Sequence, residues 1–264
     1  ASIHMVANDS AAEEQLNLCE TLIAKKPKVL AVSAVTSAVG IQCMKEAAAQ
    51  GIIVADMDSN VSMADAKAAG ITLAYTVGSD NLAIGRQAAQ YAAKLLKDGD
   101  KIFVLEGAAG SIPGNNRRDG FKDELKNLKP GSVIAASISG DWDRLKANSA
   151  TTDMLTRAPD IKLIYACNDL MGLGAAEAVR AAGKDGQIKI IAVDGTDDAR
   201  KAILAGHMEA TVAQLPYLIG KRAVELAIDA AQNKKTGITE KVPTPILTQE
   251  TLNAKSDSLF QYIR

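Results

Sequence analysis

Four apolar stretches in the chain each end on a hydrogen-bonding side chain. IIVADMDS reaches Asp58, LIYACNDL reaches Asn168, IIAVDGT reaches Asp194 and ATVAQLP reaches Gln214. Two carboxylates and two carboxamides together supply acceptors and amide donors, a mixture suited to a neutral molecule rich in hydroxyl groups. Each has a plainer explanation, because Asp and Asn also cap helices, and Asp194 ahead of GTDDARKAI is the clearest case. Four such residues at equivalent places favour a shared role.

Two further residues extend the set. In GSIPGNNRRDGF, residues 110–121, Arg117 and Arg118 follow a turn-forming run and begin a helix. A cation gains nothing from the dipole at that end, so Arg117 is expected to have a partner beyond the helix. Its planar guanidinium can grip neighbouring oxygens in two directions. Arg118 is read as a solvated neighbour. Trp142, in SGDWDRLKA, is the one tryptophan of a chain with 3% aromatic residues, and it stands among Asp141, Asp143 and Arg144. Alone, it would be a half-buried indole opening a helix. Beside the other candidates it reads as a platform for the C–H face of a sugar ring, with its charged neighbours capping the helix or framing the pocket.

Residues of this kind converge only if the strands that carry them end along one edge of a sheet. Candidate strands are SIHMVA, KVLAVSA, IIVADM, TLAYTVG, KIFVLEG, SVIAASIS, KLIYACN, IKIIAVD and EATVAQ. Alanine-rich helical stretches such as NLAIGRQAAQYAAKLLKDG and LMGLGAAEAVRAAGKDG lie between most of them, closed by Gly and Lys-Asp-Gly clusters. Apolar strands joined by helices imply parallel strands covered on both faces. The fold class is α/β, doubly wound, and in such sheets ligands bind outside the carboxyl ends of the strands.

Composition excludes several chemistries. The 264 residues carry a net charge of −1, which argues against nucleic acid or an anionic membrane as partner. No apolar run approaches the roughly 20 residues of a membrane span. ASIHMVANDS has neither the basic nor the long apolar region of a signal peptide. Cys19, Cys43 and Cys167 lack metal-ligand spacing and are expected to pack as small hydrophobes, with no obligatory disulfide framework. His4 and His207 are too scattered for a zinc site or a Ser-His-Asp arrangement. GAAGSIPG lacks the Gly-Lys-Ser/Thr ending of a phosphate loop, and MGLGAAEA lacks the full dinucleotide fingerprint. Asp141 and Asp143 could mimic a glycosidase pair, but helix capping explains them more simply. The expectation is a binding protein, with no catalytic residue, metal or cofactor.

Taken together, VGSDNLAIGRQAA, GNNRRDGF, GDWDRLKA, YACNDLMGLGAAEAV, VDGTDDARKAI and ATVAQLPYLIGKRAVE resemble the periplasmic sugar-binding proteins of the ribose/allose type, across residues 2 to about 252. The resemblance implies two α/β lobes of the type I periplasmic binding protein fold, joined by a three-crossing hinge near Ser79, Leu215 and Thr244. The lobes would comprise residues 1–79 with 215–243, and 80–214 with 244–264. Asp58, Arg117, Trp142, Asn168, Asp194 and Gln214 would hold a monosaccharide between them. Closure on the sugar would then present it to the membrane permease of an ABC transporter. The expected form is a monomer, either periplasmic or tethered outside the membrane of a Gram-positive cell.

Two departures matter. ASIHMVANDSAAEEQLNLCETLI aligns with the second strand and helix of such proteins, so the sequence is expected to lack the first strand and helix of the first lobe, with a rearranged lobe or a complementing segment from another molecule as the alternative. Ser59 stands where ribose-type members carry an arginine, which directs the resemblance toward the allose branch, with allose, its ketose isomer psicose or a related sugar as ligand. The alternative is the effector domain of a LacI-type transcriptional regulator, which would need a basic helix-turn-helix ahead of this segment.

Overall fold

The computed structural model describes residues 4, 12–58, 61–234, 236–254 and 258–263. In chain order the elements begin with α1 (Ala12–Ala24), β1 (Val29–Val32), α2 (Ser37–Ala49), β2 (Ile53–Met57), α3 (Met63–Ala68) and β3 (Leu73–Ser79). They continue with α4 (Asn81–Leu95), β4 (Lys101–Glu106), α5 (Ile112–Leu128), β5 (Val133–Ser139), α6 (Arg144–Arg157) and β6 (Ile161–Ala166). Next come α7 (Asp169–Ala181), β7 (Lys189–Asp194), α8 (Asp197–Leu204), β8 (Ala210–Ala213) and α9 (Pro216–Ala231). The chain closes with β9 (Ile238–Val242), β10 (Ile246–Thr248), α10 (Gln249–Ala254) and a short 3-10 helix (Ser258–Tyr262). It divides into two units, Ala1–Asp80 with Pro216–Val242 and Asn81–Leu215 with Pro243–Arg264.

In the first unit, β1, β2, β3 and β9 form a parallel sheet in that order. Among the described residues β1 is an edge strand, paired on one side with β2. Ser59 and all of the stretch SIHMVA except His4 lie outside the described residues. Helices α1 and α2 cover one core, where Cys19 and Cys43 are 4% and 2% exposed. These two cysteines form a disulfide with Cα atoms 5.9 Å apart. Packing alone was the expectation for them, and the disulfide corrects it. The pair forms because α1 and α2 lie side by side and bring together two cysteines 24 residues apart, a proximity that cysteine spacing does not reveal. Cys167 is a free, buried thiol.

The second unit has a six-stranded sheet in the order β10-β8-β7-β6-β4-β5, parallel except for β10. Its central strands are almost wholly buried because helices pack on both faces: Ile102, Val104, Leu163, Tyr165, Ile191 and Val193 are all at 0% exposure. Phe121 of α5 stacks on Tyr165 of β6 with ring centroids 4.0 Å apart, joining helix to sheet. The chain runs from β4 outward to β5, then crosses back to place β6 on the other side of β4. The strand order therefore reverses at β4/β6, the place where ligands bind at the carboxyl ends of such sheets.

Candidate functional site

The carboxyl ends of β4 to β8 deliver their following residues to one edge of the second sheet, beginning with Arg117. This residue lies in the second turn of α5, since the helix starts at Ile112 with Ser111 as its cap, and not at the helix start expected from sequence. Arg117 is 6% exposed and spends its donors on three partners. Its Nε donates to Asn81 Oδ1 at 2.8 Å, and its Nη1 donates to the Cys167 carbonyl at 2.8 Å and to Asp194 Oδ1 at 3.3 Å. A buried cation needs such partners, because an uncompensated charge in the interior is strongly unfavourable. Arg118 departs from the solvated state expected of it. Its side chain is 24% exposed and bonds Glu106, Asp119 and Asn115.

Asp194 ends β7 and accepts a second hydrogen bond on Oδ1, from Gln214 Nε2 at 2.7 Å. It does not cap α8; Thr196 does, accepting from Ala199 N. Burial pushes the Asp194 carboxyl up from its ordinary value, and the nearby Arg117 guanidinium opposes the rise. Asn168, at the end of β6, does cap a helix, as its plainer explanation allowed. Its Oδ1 accepts from Met171 N at 2.9 Å. The Nδ2 makes one long contact, 3.4 Å to the Trp142 carbonyl, and so retains donor capacity for a ligand.

Trp142 sits in a tight turn closed by Asp143 N–H to the Gly140 carbonyl at 2.8 Å, with Asp141 and Trp142 at φ +54° and +60°. Two consecutive non-glycine residues in that region cost roughly 1–2 kcal/mol each. The turn is followed at once by α6, capped by Asp143 through Lys146 N at 2.8 Å, while Asp141 pairs with Lys146. The half-buried indole packs closely against Gly107 and Gly114. A Cβ at Gly107 would stand 2.2 Å from Trp142 Cζ2, and one at Gly114 would stand 3.0 Å from it. The Arg117 guanidinium is 5.8 Å from the ring centroid, within cation–π range.

Arg117, Trp142, Asn168, Asp194 and Gln214 thus come together in one unit, directly or through one shared partner. Asp58 belongs to the first unit. It follows β2 at φ +74°, and its N–H bonds the Val77 carbonyl at 2.8 Å. Sequence inspection missed three contributors. Asn81 orients Arg117, Gly107 seats the indole, and Cys167 lends its carbonyl to Arg117 while burial pushes its thiol up to about 12. Only Gly107 left a signal, in GAAGSIPG, where the glycines have no phosphate-loop role.

Residues 2–235 match the model of the periplasmic binding protein domain. The chain is 36% identical over 245 residues to the D-allose-binding periplasmic protein of Escherichia coli K12, covering 92% of this chain and 78% of that one. It is 29% identical over 250 residues to a D-ribose/D-allose-binding protein of Pseudomonas aeruginosa, covering 92% and 76%. Among solved structures, an ABC transporter periplasmic solute-binding protein of Actinobacillus succinogenes 130z with bound D-allose superposes with a TM-score of 0.87 at 30% identity, covering 92% of this chain and 86% of that one. With its doubly wound units and strand-end polar residues, the chain belongs to the periplasmic binding protein family, in the type I fold.

Proposed function

We propose that the chain binds a neutral monosaccharide of the allose type outside the cytoplasm and hands it to the permease of an ABC importer. The observation that carries this is the convergence of Arg117, Trp142, Asn168, Asp194 and Gln214 at the carboxyl ends of the second sheet. Trp142 would stack on the C–H face of the ring, and the polar side chains would bond its hydroxyls. Asp58 of the first unit would add an acceptor, and the sugar would favour the closed form through contacts available only there. The relatives described above are binding proteins for sugars, which favours import over the regulator alternative.

The sole tryptophan reports on the site without interference. Titration of D-allose, D-psicose and D-ribose, followed by Trp142 emission and by calorimetry, is expected to give a saturable change. Without an arginine at position 59, ribose should lose a charged hydrogen bond of about 1.5–3 kcal/mol, which is roughly 10- to 150-fold in affinity. Absence of heat and of any emission change with all three sugars would overturn the proposal. Ribose binding more tightly than D-allose would overturn its allose assignment.

A further inference from the structure

Behind Asp194 lies a second carboxylate that the ligand set does not use. Asp169, the first residue of α7, is at 0% exposure. Its Oδ2 accepts from the Thr196 N–H at 2.7 Å and from the Thr196 hydroxyl at 3.0 Å, and its Oδ1 accepts from the Thr211 hydroxyl at 2.7 Å. The Thr211 oxygen in turn accepts the Gly195 N–H at 3.2 Å. All of these bonds go to the turn that follows Asp194 or to β8, which it packs against.

That turn is strained. Asp194 has φ +128° and Gly195 φ +80°. A Cβ on Gly195 would lie 2.5 Å from the Ala213 Cβ, so the turn is pressed directly onto β8. A non-glycine residue in such a conformation persists only where its surroundings over-determine it. The Asp169 bonds do this from one side. From the other, Gln214 N–H bonds the Asp194 carbonyl at 3.0 Å and Arg200 Nη1 bonds the Gly195 carbonyl at 2.9 Å.

We propose that Asp169 is a positioning residue: through Thr196, Thr211 and Gly195 it holds the Asp194 turn in the strained conformation that aims the Asp194 carboxylate at Arg117 and Gln214, so that sugar affinity depends on a side chain that does not reach the sugar. The proposal rests on the sugar-binding function above. Burial and the Asp194 charge push the Asp169 carboxyl up, and its hydroxyl and amide donors pull the other way, so its protonation is tied to the same contacts.

Thr211→Val in the full chain deletes the hydroxyl at nearly constant shape, and Thr211→Ser restores it. Calorimetry with D-allose is expected to show about a tenfold loss for Thr211→Val and near wild-type affinity for Thr211→Ser. In an Asp194→Asn background the Thr211→Val loss should shrink below twofold, because residues acting through one group are not additive. Wild-type affinity in Thr211→Val, or an undiminished loss in the Asp194→Asn background, would overturn the proposal. Amide hydrogen exchange without sugar provides a separate readout. The Gly195 and Thr196 amides should exchange at least tenfold faster in Thr211→Val and in Asp169→Asn, with Thr211→Ser unchanged, and equal rates would also overturn it. If the wild-type chain binds no D-allose, D-psicose or D-ribose, the sugar reading fails, and the exchange rates alone decide the positioning role.

Discussion

Gly107→Ala is the sharpest perturbation of the site, because it adds one methyl group and removes nothing. The new Cβ would stand 2.2, 2.4 and 2.6 Å from Cζ2, Cη2 and Cε2 of Trp142. Carbon atoms at ordinary contact are about 3.5–4.0 Å apart, so the indole must retreat by about 1.5 Å. Its main chain cannot absorb the movement cheaply, being fixed in the left-handed turn closed by Gly140 and Asp143. An aligned aromatic face is worth about 0.5–1.5 kcal/mol beyond its buried area, and a lifted ring also spoils the pocket wall. A loss of about 1–2 kcal/mol, roughly 5- to 30-fold in D-allose affinity, is expected. Overpacking should lower stability by about 1–3 kcal/mol. Calorimetry measures the first quantity and urea unfolding the second. In a Trp142→Ala background the affinity cost of Gly107→Ala should vanish. Unchanged affinity in Gly107→Ala, or a cost that persists without the indole, would refute the claim that Gly107 acts by seating Trp142.

Arg117→Lys keeps the charge but cannot serve Asn81, the Cys167 carbonyl and Asp194 together, so D-allose affinity should fall more than tenfold and stability by about 3 kcal/mol, read by calorimetry and urea unfolding. Reduction of Cys19–Cys43, or the Cys19→Ser/Cys43→Ser pair, should cost about 3 kcal/mol in the chain-entropy model for residues 24 apart, measurable as a lower unfolding midpoint with and without reductant. The Asp169 carboxyl is held above the usual aspartate range, so the folded chain keeps a proton that the unfolded chain releases. Stability should therefore decline as pH rises above about 4 toward the raised value, and Asp169→Asn should flatten that slope in unfolding measurements across the range.

Where strands are buried on both faces, the sequence shows them as unbroken apolar runs, and for this reason KIFVLEG, KLIYACN and IKIIAVD were legible as β4, β6 and β7. Edge strands obey a weaker rule. ITEKV alternates in burial and β10 is three residues long, so neither stood out. The apolar run of β5 reads like a central strand, yet Val133 and Ile138 are 48% and 42% exposed, because β5 closes one edge of its sheet. The Cys19–Cys43 disulfide was hidden for a related reason. Pairing depends on which helices share a face, and helical periodicity describes each helix by itself.

The same distinction divides the site. Asn168, Asp194 and Gln214 are legible because a polar residue at the end of a buried run is locally conspicuous. Asn81 acts on Arg117 from 36 residues away, and Asp169 grips Thr211 from 42 residues away, so each looks like an ordinary first-turn residue until the sheet brings the partners together. This outer layer also bears on which ligand the site can take. Arg117 and Asp194 pair with each other, and both already accept or donate to neutral groups, Asn81 and the Cys167 carbonyl on one side and Gln214 on the other. An anionic ligand would have to compete with Asp194 for the cation, and a cationic one with Arg117 for the carboxylate. Either would leave a largely buried charge with a weaker partner, at a cost of several kcal/mol. Hydroxyl groups, which donate and accept, can bond Asp194 and the remaining Asn168 donor without separating the pair. In the proposed site, the Arg117–Asp194 pair therefore weighs against a charged group at this edge of the second sheet and in favour of hydroxyls.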